Sequence, residues 1–224
     1  MTAPPIRTFG RVRSRTLKPA QAGLLTELLP RVAIPAGPFD PAALGHSEAW
    51  LEIGFGGGEH LAAQAARRPD VLMLGAEPFV NGVASALRHI QTLGLTNVRI
   101  WPGDARALMA ALPDASIRRL FILFPDPWPK TRHHKRRLVG PAFADEAARI
   151  LAAGGRLRLA TDWADYAHGA LEVFIRHPAF AWTAERADDW RTAPADHVAT
   201  RYEAKRLGDC LPLWLEFERI ARVG

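Results

Sequence analysis

The chain has 224 residues, of which 48% are hydrophobic, enough for one large domain with a sizeable core. Its single cysteine, Cys210, excludes an internal disulfide framework and points to a reducing compartment. With no apolar run near the roughly 18 residues of a membrane span and no signal-like apolar N-terminus, a soluble cytoplasmic protein without membrane contact is expected.

Residues 1–20 carry Arg7, Arg11, Arg13, Arg15 and Lys18 without an acid and show no clean period, which predicts a flexible basic arm ahead of a single domain over 21–224. A short helical stretch follows at Leu24–Leu29, then a loop punctuated by Pro30, Pro35, Pro38 and Pro41. From there apolar runs alternate with helical patterns. Strands are predicted at Ala49–Ile53, Val71–Ala76, Asn97–Trp101, Leu120–Phe124 and Arg156–Thr161, with a last one at Pro212–Phe217. Helices are predicted at about 58–67, 79–93, 104–111 and 140–151, and again over Tyr166–Ile175. This repetition implies an α/β fold with a mostly parallel, doubly wound sheet. Ligands of such sheets bind beyond the carboxyl ends of the strands, so Glu52, Gly54, Glu77, Asp104, Asp126 and Asp162 mark the candidate site.

The first strand runs into Gly54-Phe55-Gly56-Gly57-Gly58, and a helix opens behind it. Glycines there allow close backbone approach and positive φ. A dinucleotide fingerprint would need its third glycine at Glu59, a poor neighbour for a pyrophosphate. The spacing suits a cofactor without phosphates, such as S-adenosyl-L-methionine. Glu77 is placed to accept from two ribose hydroxyls and Asp104 from an adenine amino group. Glu52 either binds the cofactor's ammonium or buttresses the loop.

Phe124-Pro125-Asp126-Pro127-Trp128-Pro129-Lys130 follows the fourth strand. Its prolines extend the backbone around Asp126, and Trp128 offers a face on which a base can stack. Directly behind it, Arg132, His133, His134, Lys135, Arg136 and Arg137 form a basic block suited to RNA phosphates. No cysteine or acid stands at ligand spacing from the two histidines, so no metal is expected.

Together EIGFGGG at 52–58, the glutamate of GAEP, GDA at 103–105, FPDPWPKTRHHKRR at 124–137, ATDW at 160–163 and TRYEAK at 200–205 resemble the bacterial tRNA (guanine-N7)-methyltransferase family. The resemblance runs from about residue 6 to the end, with Ala204 where a glutamine is often found. It implies a Rossmann-like class I methyltransferase that takes S-adenosyl-L-methionine and modifies the variable-loop guanine of tRNA. By the same resemblance Glu52, Gly54, Gly56, Glu77, Asp104 and Asp126 would contact the cofactor, with Asp126 also the active-site acid. Lys130, Asp162, Thr200, Arg201, Tyr202 and Glu203 would bind the target nucleotide, and residues 132–137 the tRNA.

Guanine N7 presents an in-plane lone pair, so its methylation needs alignment and charge stabilisation more than proton removal. Two other readings compete: an amino-group methyltransferase of RNA or DNA, and a non-catalytic RNA-binding protein. The acids at four successive strand ends have no use in a pure binder.

Overall fold

The computed structural model describes residues 16–221. Most of the expected basic arm lies outside the described residues. Its end does not stay irregular: α1 (Pro19–Glu27) begins with Pro19 in its first turn, where a missing N–H costs nothing. Pro30 falls inside a short α2 (Leu29–Val32) rather than in the expected loop, again near a helix start.

Among the described residues seven strands form one sheet, in the order β3-β2-β1-β4-β5-β7-β6. They are β1 (Glu48–Ile53), β2 (Val71–Ala76), β3 (Val98–Trp101), β4 (Ile117–Leu123), β5 (Leu151–Thr161), β6 (Phe180–Trp182) and β7 (Leu213–Arg219). β1 to β5 pair in parallel, and β7 runs antiparallel between β5 and β6. β1 and β2 are buried along nearly their whole length, as strands covered on both faces must be. β6 has only three residues, too short to leave a periodic signal in the sequence.

One face packs Leu51, Leu74, Leu120 and Leu159 under α5 (Ala105–Ala111), α6 (Pro141–Ile150) and α7 (Ala164–Arg176). The other packs Trp50, Met73 and Phe121 under α1, α3 (Glu59–Arg67) and α4 (Val80–Leu93). α6 stops at Ile150 and β5 follows at once, so Gly154 and Gly155 lie within the strand rather than past a helix end. The β4–β5 register shifts between Ile117 and Arg119 beside them. A Cβ on Gly155 would stand 2.7 Å from the Ala152 carbonyl and 3.1 Å from that of Arg118. Glycine is what this irregularity admits. Among the described residues no helix is long and apolar enough to cross a membrane.

Candidate active site

The strand order reverses around β1, which lies between β2 and β4, and a cleft opens beyond the carboxyl ends at such a point. The glycine loop leaves β1 there. Gly54, Gly56 and Gly58 have φ of +70°, +55° and +79°, which L side chains adopt only at a cost. Nothing lies within 4 Å of where a Cβ would stand at Gly54 or Gly56, so the loop forms the floor of an open cradle. On its other side the loop is held tightly. Glu77, at the end of β2, accepts hydrogen bonds from Gly56 N–H (2.8 Å) and Phe79 N–H (2.9 Å). A Cβ on Gly82 of α4 would overlap the Gly56 carbonyl oxygen. That requirement is invisible in sequence, because Gly82 reads as a helix-interior glycine.

Glu77 is buried, and desolvation raises its pKa above the usual carboxylate range; backbone donors oppose this, while Asp126 and Glu52 add to it. Three carboxylates from β1, β2 and the loop after β4 thus share one field around the cradle. Such a field favours a cation, and S-adenosyl-L-methionine carries both a sulfonium and an ammonium. Open space over the glycines, a buried acid at the end of β2 and a net negative wall all fit that molecule. Asp104 stands at the mouth, caps α5 through Arg106 N–H (2.9 Å) and pairs with the Arg106 guanidinium (2.7 Å). Its carboxylate therefore already serves a helix start.

The turn after β4 is bracketed by two non-glycine residues of positive φ, Phe124 (+51°) and Trp128 (+44°), each costing on the order of 1 kcal/mol or more. Phe124 is held by its N–H to the Ala160 carbonyl (2.7 Å) and by ring contacts with Tyr202 and Trp214. At the far side Arg137 donates to the Pro127 carbonyl (2.9 Å), pairs with Asp165 (2.5 Å) and lies over the Tyr166 ring. Asp126 projects from this clamp, open to solvent, yet the protein around its carboxylate desolvates it enough to raise its pKa.

The basic block forms a short 3₁₀ helix, Thr131–Arg136. It is not one uniform phosphate-facing strip. Lys130, Arg132 and Lys135 are exposed, whereas Arg137 turns inward to the Asp126 turn. Arg136 sits 4.9 Å over the Trp128 ring and His133 meets that ring edge-on, so the indole expected to stack a base already packs within the block. His134 lies 3.4 Å from Asp165.

Asp162, at the end of β5, is buried and does not cap α7; Asp209 does that, accepting from Ala164 N–H (2.8 Å). Asp162 instead accepts from Gly208 N–H (3.0 Å) and, more loosely, from the Tyr202 hydroxyl (3.4 Å). A Cβ on Gly208 would overlap Asp162. The segment from Thr200 to Gly208 is thereby drawn across the cleft. Thr200 and Glu203 exchange hydrogen bonds, with Thr200 N–H donating to Glu203 at 2.7 Å, and Glu203 also holds His197 at 2.8 Å. Burial works against the Glu203 carboxylate, but those bonds prevail and keep its pKa below the ordinary value. Arg201 reaches back over the cradle to Glu59 (2.5 Å) and Ser85 (3.3 Å). The residue that spoils a pyrophosphate site is thus the anchor of this segment.

Comparison with known proteins agrees with this geometry. The family model described as "Putative methyltransferase" matches residues 46–209. A protein from Caulobacter sp. (strain K31) named tRNA (guanine-N(7)-)-methyltransferase is 60% identical, covering 96% of each chain. One of the same name from Hyphomonas neptunium is 51% identical over 95% of this chain and 99% of its own. The chain belongs to the bacterial tRNA (guanine-N7)-methyltransferase family. Among solved structures, a 16S rRNA (adenine(1408)-N(1))-methyltransferase from Catenulisporales acidiphilia, crystallised with cosubstrate SAM, aligns with a TM-score of 0.58 at 15% identity, covering 85% of this chain and 97% of its own. A SAM-dependent O-methyltransferase from Thermotoga maritima aligns at 0.52 and 15% identity, covering 95% of this chain and 69% of its own. At such identities the likeness is one of fold: that of the class I methyltransferases. Sequence reading missed Gly82, Gly208, His60, Gln64 and Asp196. Of these only His60 and Gln64 carry a signal, their four-residue spacing on the helix that opens from the glycine loop.

Proposed function

We propose that this chain transfers the methyl group of S-adenosyl-L-methionine to N7 of a guanine in tRNA, the variable-loop guanine, in the cytoplasm. One juxtaposition carries the reading: the acid-lined glycine cradle and the clamped Asp126 turn share a cleft with the basic 3₁₀ helix. When bound, the cofactor supplies an electrophilic methyl carbon on a sulfonium. The glycine loop and Glu77 would hold its adenosine end, and Glu52 its amino-acid end. Asp126, carried on a rigid turn, stabilises the positive charge that reaches the purine, since N7 has no proton to lose. Asp162, Tyr202 and the Thr200–Glu203 segment form the wall against which the guanine is aligned, with Lys130 at the rim. Exposed Lys130, Arg132 and Lys135 take the RNA backbone.

Nucleoside mass spectrometry of unmodified tRNA incubated with the protein and cofactor tests the activity. N7-methylguanosine at the variable loop is expected. N6-methyladenosine or N4-methylcytidine would replace this reading with an amino-group methyltransferase, and no product at all would favour the binding protein.

A further inference from the structure

Beneath the cradle runs a chain of hydrogen bonds among side chains almost wholly removed from water. Glu52 is 2% exposed, His60 1% and Gln64 2%. His60 Nδ1 lies 2.8 Å from Glu52 Oε2, and His60 Nε2 lies 3.1 Å from Gln64 Nε2. The same Gln64 nitrogen donates to the Asp196 carbonyl at 2.7 Å. A carbonyl only accepts, so the Gln64 atom facing it must be the amide nitrogen. Its second N–H then points at His60 Nε2, which has to be the bare nitrogen of the ring. The proton of His60 therefore sits on Nδ1 and is donated to Glu52.

The far end of this chain belongs to the segment that crosses the cleft. The Asp196 carboxylate pairs with Arg158 of β5 (2.6 Å) and Arg119 of β4 (3.1 Å), and its carbonyl also accepts from Arg67 (2.7 Å). Four residues farther on, the same segment enters the Thr200–Glu203 turn, and the His197 ring that leads to it lies 6.1 Å from the His60 ring, inclined by 29°. If the segment lifts, Gln64 loses the acceptor that fixes its amide. The amide is then free to rotate, His60 Nε2 loses its buried donor, and the ring is no longer held from behind in the orientation that donates Nδ1–H to Glu52. A buried acceptor left without a donor is costly.

We propose that His60 and Gln64 are positioning residues through which the docked 194–205 segment orients Glu52 toward the ammonium of S-adenosyl-L-methionine, so that seating of the substrate-binding segment and grip on the cofactor's amino-acid end are coupled. This rests on the cofactor reading above. Titration calorimetry with two ligands tests it: S-adenosyl-L-methionine, and 5′-methylthioadenosine, which keeps the adenosine and a neutral methylated sulfur but lacks the sulfonium charge and the amino-acid group. His60→Leu is expected to weaken the former by about tenfold or more, the scale of a lost hydrogen bond to a charged group, and to leave the latter within about twofold. His60→Asn, whose amide N–H stands where Nδ1–H does, is expected to recover most of the loss. Asp196→Asn, which loosens the segment's anchor, should weaken S-adenosyl-L-methionine in the wild-type background and not further in His60→Leu. Ring-nitrogen NMR of His60 should report the Nδ1–H tautomer in wild type, and Nε2–H there would overturn the proposal.

Equal weakening of both ligands, or additive effects of His60→Leu and Asp196→Asn, would reduce His60 to a core residue and overturn the proposal. If His60→Leu does not fold, the same comparison is made with Gln64→Met. Wild-type protein that binds neither ligand would overturn the cofactor reading itself.

Discussion

Glu77 is a buried acid that gives the site a pH response. Its pKa is raised by desolvation and by the neighbouring acids, so between the ordinary value of 4.5 and the raised one the folded chain keeps a proton that the unfolded chain has lost. Stability of the cofactor-free protein therefore falls as pH rises through that window. A cationic ligand favours the carboxylate, so cofactor affinity rises over the same interval. Calorimetry from acid to neutral pH should show this, with Glu77→Ala weakening the cofactor at least about tenfold and leaving tRNA affinity unchanged. Equal cofactor affinity in the variant would leave Glu77 as a strut of the glycine loop alone. Asp126 stands at the other side of the cleft, and among the described residues no hydrogen bond holds its carboxylate. Asp126→Ala should lower kcat/KM more than about tenfold, over about 1.4 kcal/mol, without moving the unfolding temperature. A smaller loss would remove it from the chemistry.

Between elements the decisive contacts are those where a loop meets a backbone. Gly208 touches Asp162 so closely that an alanine there must push the 200–208 segment off β5. Gly208→Ala should destabilise by about 1–3 kcal/mol and raise KM for tRNA more than KM for the cofactor. Thermal unfolding and steady-state kinetics with each substrate varied will show whether it does. Arg137 plays the corresponding part for the Asp126 turn. Its guanidinium spans the Pro127 carbonyl, Asp165 and the Tyr166 ring, a set no lysine can match. Arg137→Ala and Arg137→Lys should both lower kcat while tRNA affinity stays close to wild type. If affinity falls instead and kcat holds, Arg137 belongs with the residues that bind phosphate.

For the whole molecule, charge is divided by place. Outside residues 1–20 and 130–137 the chain is net acidic, and the exposed cations of the second block sit on a 3₁₀ helix beside the cleft mouth. Affinity for tRNA should fall steeply with salt. Replacing Lys130, Arg132 and Lys135 together by alanine should flatten that dependence by up to about 1 for each phosphate no longer neutralised, alike across tRNA sequences. Binding isotherms at several salt concentrations measure it, and unchanged slopes would move the RNA to another face.

The alternation of apolar runs with helical periods, the glycine cluster and the acids closing each run were legible in the chain itself, because strands buried on both faces and turns of positive φ restrict which residues are possible. That was enough to place the cleft and the first five strands along the chain. What the linear order could not contain was which side chains are already spent. Arg137 and Arg136 read as members of one basic strip, yet one clamps the Asp126 turn and the other lies on Trp128. Asp104 reads as a ligand group and also starts α5. Asp196 carries no local signal, for its partners are brought to it from β4, β5 and α3 only by folding. Local sequence encodes backbone conformation and burial, which act over a few residues. The pairing of charges and buried polar groups is a property of distances between elements, and only the tertiary structure sets those.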